Sequence, residues 1–312
     1  MVLKRARILA VGIAVWALSC SPEREGSELF APGGLGIPVV DAVLVVGQPF
    51  SDVYLSQTLA PDERFTRERA GLNGATVTIE DGARVIPYTS MGVRGWYRSG
   101  APDIVQASTT YRFTATLTDG RVVRATTTTP ARLSVREWVL LDESGTNVLQ
   151  TLATFEEHGD TVYFEPQNQL VYPENILAAV LDDQSTAGYQ IGLINLETDS
   201  PLLIDADFLE PDDLEDFKRT NSSPPLNYES TLRIPWLAIY YEGRYNLRVV
   251  ALDRNWYDIA RTDPAIGGGG FGFGGEAGDT SKRPIFHVEG GIGVFGSVSS
   301  DSVGFYVNPP AQ

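Results

Sequence analysis

The stretch Tyr111-Arg112-Phe113-Thr114-Ala115-Thr116-Leu117-Thr118-Asp119-Gly120-Arg121-Val122-Val123-Arg124-Ala125-Thr126-Thr127-Thr128 decides the fold class. Tyr111, Phe113, Ala115 and Leu117 recur at every second position, which places all four on one face of a strand. Asp119-Gly120 then supplies the two residues that tolerate positive φ in a tight hairpin, and Val122 to Thr128 is the return strand. Pro130 ends the unit.

Upstream, short β-branched and aromatic runs continue the pattern. They are Val39 to Val46, Val53 to Ser56, Ala75 to Glu80 with Val77 and Ile79 on one face, and Gly95 to Arg98. Turn residues such as Gly47, Pro49 and Asp52 punctuate them, Asp81-Gly82 closes one strand, and Pro61 to Arg69 is a charged connection. About seven strands over residues 39–131 predict an immunoglobulin-like or transthyretin-like β-sandwich.

Downstream, residues 132–312 read as a second β-rich domain. Its strands are expected at Leu133 to Leu141, Val148 to Phe155, Thr161 to Phe164, Gly188 to Leu196, Ser230 to Ile234 and Trp236 to Leu252. Two short helices interrupt them. Pro211 to Phe217 has proline and acids in its first turn, and Asp253 is placed to cap Arg254 to Arg261. A glycine-rich loop spans 267–278, and the chain closes through Pro284 to Ser297. The fold class is therefore mainly all-β.

The first residues carry a different signal. Lys4, Arg5 and Arg7 precede an apolar run from Ile8 to Leu18, the order of a secretion signal. The run is too short for a membrane span, which takes roughly 20 helical residues. Ala17-Leu18-Ser19-Cys20 resembles the lipobox of bacterial lipoproteins, with Ala17 where Leu is usual. Residues 1–19 are thus read as a cleaved signal peptide and Cys20 as the lipidated residue, the sole cysteine of the chain. Several acyl chains make such an anchor durable where one would be marginal. Residues 20–38, with Glu23, Glu25 and Glu28, read as a flexible tether. Ser21 after the lipidated residue favours the outer membrane over the inner.

Charge limits the partners. The chain has 24 basic and 40 acidic residues and a net charge of −16, and loss of three basic leader residues leaves 21 against 40, or −19. Nucleic acid and anionic membrane surfaces are therefore poor partners. After the leader only Lys218 and Lys282 remain as lysines, so arginine carries the positive charge.

No catalytic constellation stands out, and the protein is read as a non-enzyme without a cofactor. A serine triad needs a histidine, and only His158, in a polar turn, and His287, in a terminal strand, are present. Two histidines and one lipidated cysteine do not make a zinc site without carboxylates. Asp205, Asp207, Glu210, Asp212 and Asp213 are weak calcium candidates, read more simply as a solvated acidic helix start. The glycine-rich loop lacks a phosphate-loop Gly-Lys-Ser/Thr ending. Its Phe271 and Phe273, with Trp256 and Tyr257 at the second helix, are candidate ligand or partner contacts. Trp96, Tyr97, Trp236, Tyr240 and Tyr241 could line a groove, though core packing explains most of them.

Leu44 to Gly47, Val53 to Ser56, Gly74 to Ile79, Gly95 to Tyr97, Tyr245 to Asp253, Trp256 to Asp258 and the closing Pro284 to Ser297 follow one another in an order that resembles the DUF4249 family. That resemblance covers nearly all of the mature chain. It implies a lipoprotein of Bacteroidetes-like bacteria with a β-sandwich front, often associated with TonB-dependent outer-membrane receptors, and it implies no reaction. The expected role is a binding or accessory lipoprotein of the outer membrane working beside such a receptor. A structural or adhesive surface protein is the alternative, and a hydrolase of extracellular polymers a remote one.

Overall fold

Residues 35–154, 164–182, 186–203, 219–227, 229–262 and 284–310 are described by the structure, a computed structural model. The first hydrophobic core is built by β1 (Pro38–Val45), β2 (Val53–Gln57), β3 (Thr76–Glu80), β4 (Val85–Ser90), β5 (Trp96–Ser99), β6 (Thr110–Thr116) and β7 (Val122–Thr128). β6 and β7 pair around the Asp119-Gly120 turn with Phe113 opposite Ala125. Leu117 N donates to Arg121 O at 2.8 Å, and Gly120 sits at φ +86°. Tyr111, Phe113, Ala115 and Leu117 are all buried, as their spacing requires.

The strands run side by side in the order β1-β2-β5-β4-β3-β6-β7. Alternate residues face inward along each one, including Val40, Leu44, Leu55, Val77, Ile79 and Val123. Burying each such side chain contributes roughly 1.5–3 kcal/mol. The Pro61 to Arg69 connection is not all loop: it carries helix α1 (Arg67–Ala70), where Thr66 Oγ1 caps Arg69 N at 3.2 Å. β4 is absent from the expected strands because Pro87 interrupts the alternation of its two buried residues, Ile86 and Tyr88.

The second core lies between two layers. One holds β8 (Val135–Leu141), β9 (Val148–Thr151), β11 (Ile176–Leu181) and β14 (Thr231–Ile234), in the order β14-β11-β8-β9. The other holds β10 (Phe164–Val171), β12 (Gly188–Asn195), β13 (Thr220–Ser222), β15 (Gly243–Leu252) and the last strand, β17 (Ile292–Asn308). A 3-10 turn spans Trp236–Ala238, helix α2 spans Arg254–Thr262, and the short β16 (Val288–Glu289) adds to β7. Trp138, Leu177, Tyr189, Leu247, Val249 and Phe305 fill this core.

β17 belongs to both cores. Its first half pairs in parallel with β1, from Val39 opposite Ile292 to Val45 opposite Val298, and Phe295 lies in the first core 5.5 Å from Phe113. Its second half pairs with β15 and β10 and turns Val303, Phe305 and Val307 into the second core. The first core therefore includes a strand from the far end of the chain. The run Ser299 to Ser302 of β17 is polar, and two of its side chains are occupied. Ser299 Oγ accepts from Leu133 N at 2.8 Å and Asp301 Oδ2 from Val135 N at 2.7 Å, which pins the connection between the cores to β17. Burial raises the Asp301 carboxyl above its ordinary value, against the pull of those N–H donors.

Candidate functional site

α2 sits where β7 and β17 come together. Asp253 starts it as the sequence suggests, with Oδ1 accepting from Trp256 N at 2.8 Å. Asn255, Asp258, Ile259, Ala260 and Thr262 are buried and Arg254 and Arg261 exposed, so the helix has one inner face and one outer ridge.

The inner face is polar where it meets the strands. Asn255 Nδ2 donates to Thr126 O at 2.7 Å and to Phe295 O at 2.8 Å, joining carbonyls of β7 and β17. Thr127 Oγ1 donates to Asp253 Oδ2 at 2.5 Å and lies 2.6 Å from Ser297 Oγ. With Thr127's one proton on the carboxylate, Ser297 is the donor of that second bond. Asp253 N donates to Ser297 O at 3.0 Å. All three side chains are buried. Desolvation pushes the Asp253 carboxyl up, and the Thr127 hydroxyl and the neighbouring N–H groups only partly offset it.

Two glycines let the helix sit this close. A Cβ at Gly296 would stand 3.2 Å from Trp256 Cβ, and one at Gly188 would stand 2.6 Å from Tyr257 Cε2. Trp256 and Tyr257 are consequently half-buried against glycine backbone rather than free in solvent.

The outer ridge is built around Asp258. Its carboxylate, 4% exposed, lies 2.9 Å from Arg254 Nε, 3.1 Å from Arg261 Nε and 3.0 Å from His287 Nε2. Desolvation works upward on it, but His287, Arg254 and Arg261 together hold it below the ordinary carboxylate value. The two guanidinium groups also flank the Tyr257 ring, at 6.0 Å and 5.5 Å from its centre, and Tyr257 OH donates to Asn227 Oδ1 at 3.1 Å. A carboxylate so neutralised is a poor base. What the arrangement does is fix two cations and an aromatic ring at the surface.

The other aromatic candidates do not converge on this ridge. Tyr97 is in the first core and Trp96 lies 5.1 Å from Tyr54, under Arg67. Tyr240 is buried and Tyr241 lies beneath Arg219, at 4.0 Å. Cys20, Asp205, Asp207, Glu210, Asp212, Asp213, His158, Phe271 and Phe273 lie outside the described residues, as do the expected helix at Pro211 to Phe217 and the loop 267–278. Among the described residues no group of three or more His, Cys, Asp or Glu is arranged to hold a metal ion, and no helix is long and apolar enough to cross a membrane. Sequence reasoning missed His287 as a member of the site. Its alternation with apolar neighbours points to a strand and hides the contact to Asp258, 29 residues away.

Comparison with known proteins gives a family and, among several matching solved structures, a distant structural likeness. The family model described as a domain of unknown function (DUF4249) matches residues 36–302. No curated protein matches the chain. Among solved structures, the FN1–FN3 domains of chicken CNTN1 are similar at 13% identity and a TM-score of 0.23, over 69% of this chain and 61% of that one.

Proposed function

The chain belongs to the DUF4249 family, and from that premise we propose that it is a non-enzymatic recognition or accessory lipoprotein of the outer membrane, anchored through Cys20 and working beside a TonB-dependent receptor. The lipobox-like Ala17-Leu18-Ser19-Cys20 supports the anchor. The observation that carries the recognition role is the Arg254-Tyr257-Arg261 ridge, two guanidinium groups held by a buried carboxylate on a chain of net charge −16. Arginine and tyrosine on a rigid support are the residue types that dominate protein interfaces. The ridge therefore suits an acidic patch on a protein partner, with an association rate that falls as salt rises.

Co-isolation of the tagged full chain from membranes in mild detergent tests this. The wild type is expected to bring down an outer-membrane receptor, and the double variant Arg254→Gln, Arg261→Gln, which puts no new negative charge beside Asp258 and whose fold is checked by circular dichroism, to lose it. Retention of the same receptor by the double variant would remove the ridge from the interface. Failure of the wild type to retain any receptor would remove the accessory role. A Cys20→Ser chain that still partitions into membranes would sink the anchor.

A further inference from the structure

The polypeptide enters the first sandwich at one end, and that end gathers exposed apolar side chains. Leu35, the first described residue, leads into β1. Gly36 N donates to Thr58 O and Thr58 N to Ile37 O, both at 3.0 Å, so the entry lies beside the exit of β2. Ser56 of β2 bridges to Gly71, just after α1, and Arg94 Nε donates to Gly71 O at 2.8 Å. The turn 91–95 between β4 and β5 therefore meets the loop 59–71 and the chain entry on the same side. Large apolar side chains of all three segments are exposed: Leu35 by 48%, Phe65 by 63%, Met91 by 36% and Val93 by 57%. Phe65 is the one exposed Phe, Tyr or Trp among the described side chains.

These segments are fixed to one another. A Cβ at Gly71 would stand 2.6 Å from Arg94 O, so the turn is packed on the backbone that follows α1, and Gly95 N donates to Asn73 Oδ1 at 3.0 Å. Tyr54 OH donates to Arg67 O at 2.6 Å, which holds α1 against β2. Their charges nearly cancel: Asp62, Glu63 and Glu68 stand against Arg64, Arg67 and Arg69, with Arg94 in addition. On a chain of net charge −16, these loops do not share the acidic excess that makes an anionic surface a poor partner. Apolar side chains framed by arginines suit the boundary between lipid headgroups and acyl chains, where the apolar part is buried and the guanidinium group reaches out to water.

What this end faces is set by the chain that leads into it. Leu35 follows Cys20 by 15 positions, and 15 residues reach at most about 50 Å in any conformation. We infer that this end lies on the neutral lipid surface to which Cys20 is anchored, with Phe65 and Val93 inserted at the headgroup boundary. The inference rests on the Cys20 anchor of the proposed function. It also orients the body. Asp253 N, at the start of α2, donates to the carbonyl of Ser297, which pairs opposite Leu44, five residues or about 17 Å along β1 from Val39. The α2 ridge is thereby left clear of the lipid and open to a partner.

A test that replaces the lipid by a metal link does not depend on acylation of Cys20. The mature chain, residues 20–312 with Cys20→Ser and an N-terminal polyhistidine tag, is bound to phosphatidylcholine vesicles containing a nickel-chelating lipid. A single cysteine introduced by Phe65→Cys, Val93→Cys or Val85→Cys carries an NBD fluorophore. Val85 is 61% exposed but starts β4, at the opposite end of that strand from the turn 91–95. Emission from positions 65 and 93 should shift to the blue on the vesicles and be quenched by brominated acyl chains, and emission from position 85 should do neither. Phe65→Asp, at an exposed position, should abolish the shift at position 93. Labels at 65 and 93 that stay water-like on the vesicles overturn the contact, as does an equal response at all three positions. A blue shift that grows with protein concentration in the absence of vesicles overturns the lipid contact in favour of a second copy of the chain. Each of these results leaves the anchor itself untouched, because the anchor is read separately by membrane partition of Cys20→Ser.

Discussion

Thr127 and Asp253 stand 126 positions apart in the chain, and the Thr127 hydroxyl donates to the Asp253 carboxylate at 2.5 Å in a site closed to solvent. The bond ties the return strand of the hairpin to the first residue of α2, with Ser297 of the last strand on the other side of Thr127. Asp253→Ala removes the helix cap and leaves Thr127 and Trp256 N without their acceptor. The expected loss is about 2–4 kcal/mol, the sum of a cap and one buried unmet polar group, measured by urea denaturation. A loss below about 0.5 kcal/mol would show that the knot is not a structural tie.

Acid titration separates two kinds of buried carboxyl. Burial raises Asp253 and Asp301, so the cost of ionising them is full above their folded values. That cost is relieved as pH falls toward the unfolded value of about 3.9. Desolvation also works upward on Asp258, but the hydrogen bonds of His287, Arg254 and Arg261 and the charge of Arg254 win and lower it. Its stabilisation is therefore full above about pH 3.9 and lost as pH falls through its folded value. Stability should hold or rise slightly on acidification toward pH 4 and then decline. In Asp258→Asn the decline below pH 4 becomes shallower and stability at pH 7 falls by about 1–3 kcal/mol. An unchanged acid limb in that variant would contradict the assignment.

Gly188 and Gly192 form a matched pair on β12. A Cβ at Gly188 would meet both Tyr257 Cε2 and Leu226 O at 2.6 Å, whereas one at Gly192 would meet nothing within 4 Å. Gly188→Ala should cost about 1–3 kcal/mol through overpacking. Gly192→Ala should be neutral or stabilise by about 0.4–1 kcal/mol through the unfolded chain. Thermal unfolding of the two variants side by side checks the contrast, and equal effects would refute it.

Asn246 on β15 is 2% exposed, and neither polar atom of its side chain has a hydrogen-bond partner among the described residues. Replacing a buried unmet amide by an apolar group of similar size removes a desolvation cost. Asn246→Leu should stabilise by about 1 kcal/mol, or roughly 2–4 °C in Tm for a chain of this size. A destabilised variant would mean that the amide is satisfied in solution.

Much of the local structure could be read in the sequence because it rests on short-range chemistry. The alternation of Tyr111, Phe113 and Ala115, the turn at Asp119-Gly120 and the Asp253 cap each involve residues a few positions apart. What escaped was long-range. Parallel pairing of β1 with β17 leaves no pattern in either strand, and the continuation of β17 beyond Ser297 runs through the polar Ser299 to Ser302, whose Ser299 and Asp301 accept from Leu133 and Val135 far away in the chain. The site divides in the same way. Trp256, Tyr257 and the helix were visible, but the partners gathered on Asp258 include His287 from another segment. Gly296, which admits Trp256, looks in sequence like any other glycine of the closing run.

The parallel register of β1 with β17 also has a mechanical consequence. A load applied at the N-terminal end of the described chain, ahead of Pro38, pulls along β1, whose seven paired residues lie beside Ile292 to Val298. With a second grip anywhere beyond the C-terminal end of β17, the two strands are drawn past each other lengthwise. Their hydrogen bonds then share the strain in shear and do not open one at a time from an end. A body held by a leash at its first residues would thus resist tugging at the strand nearest that leash.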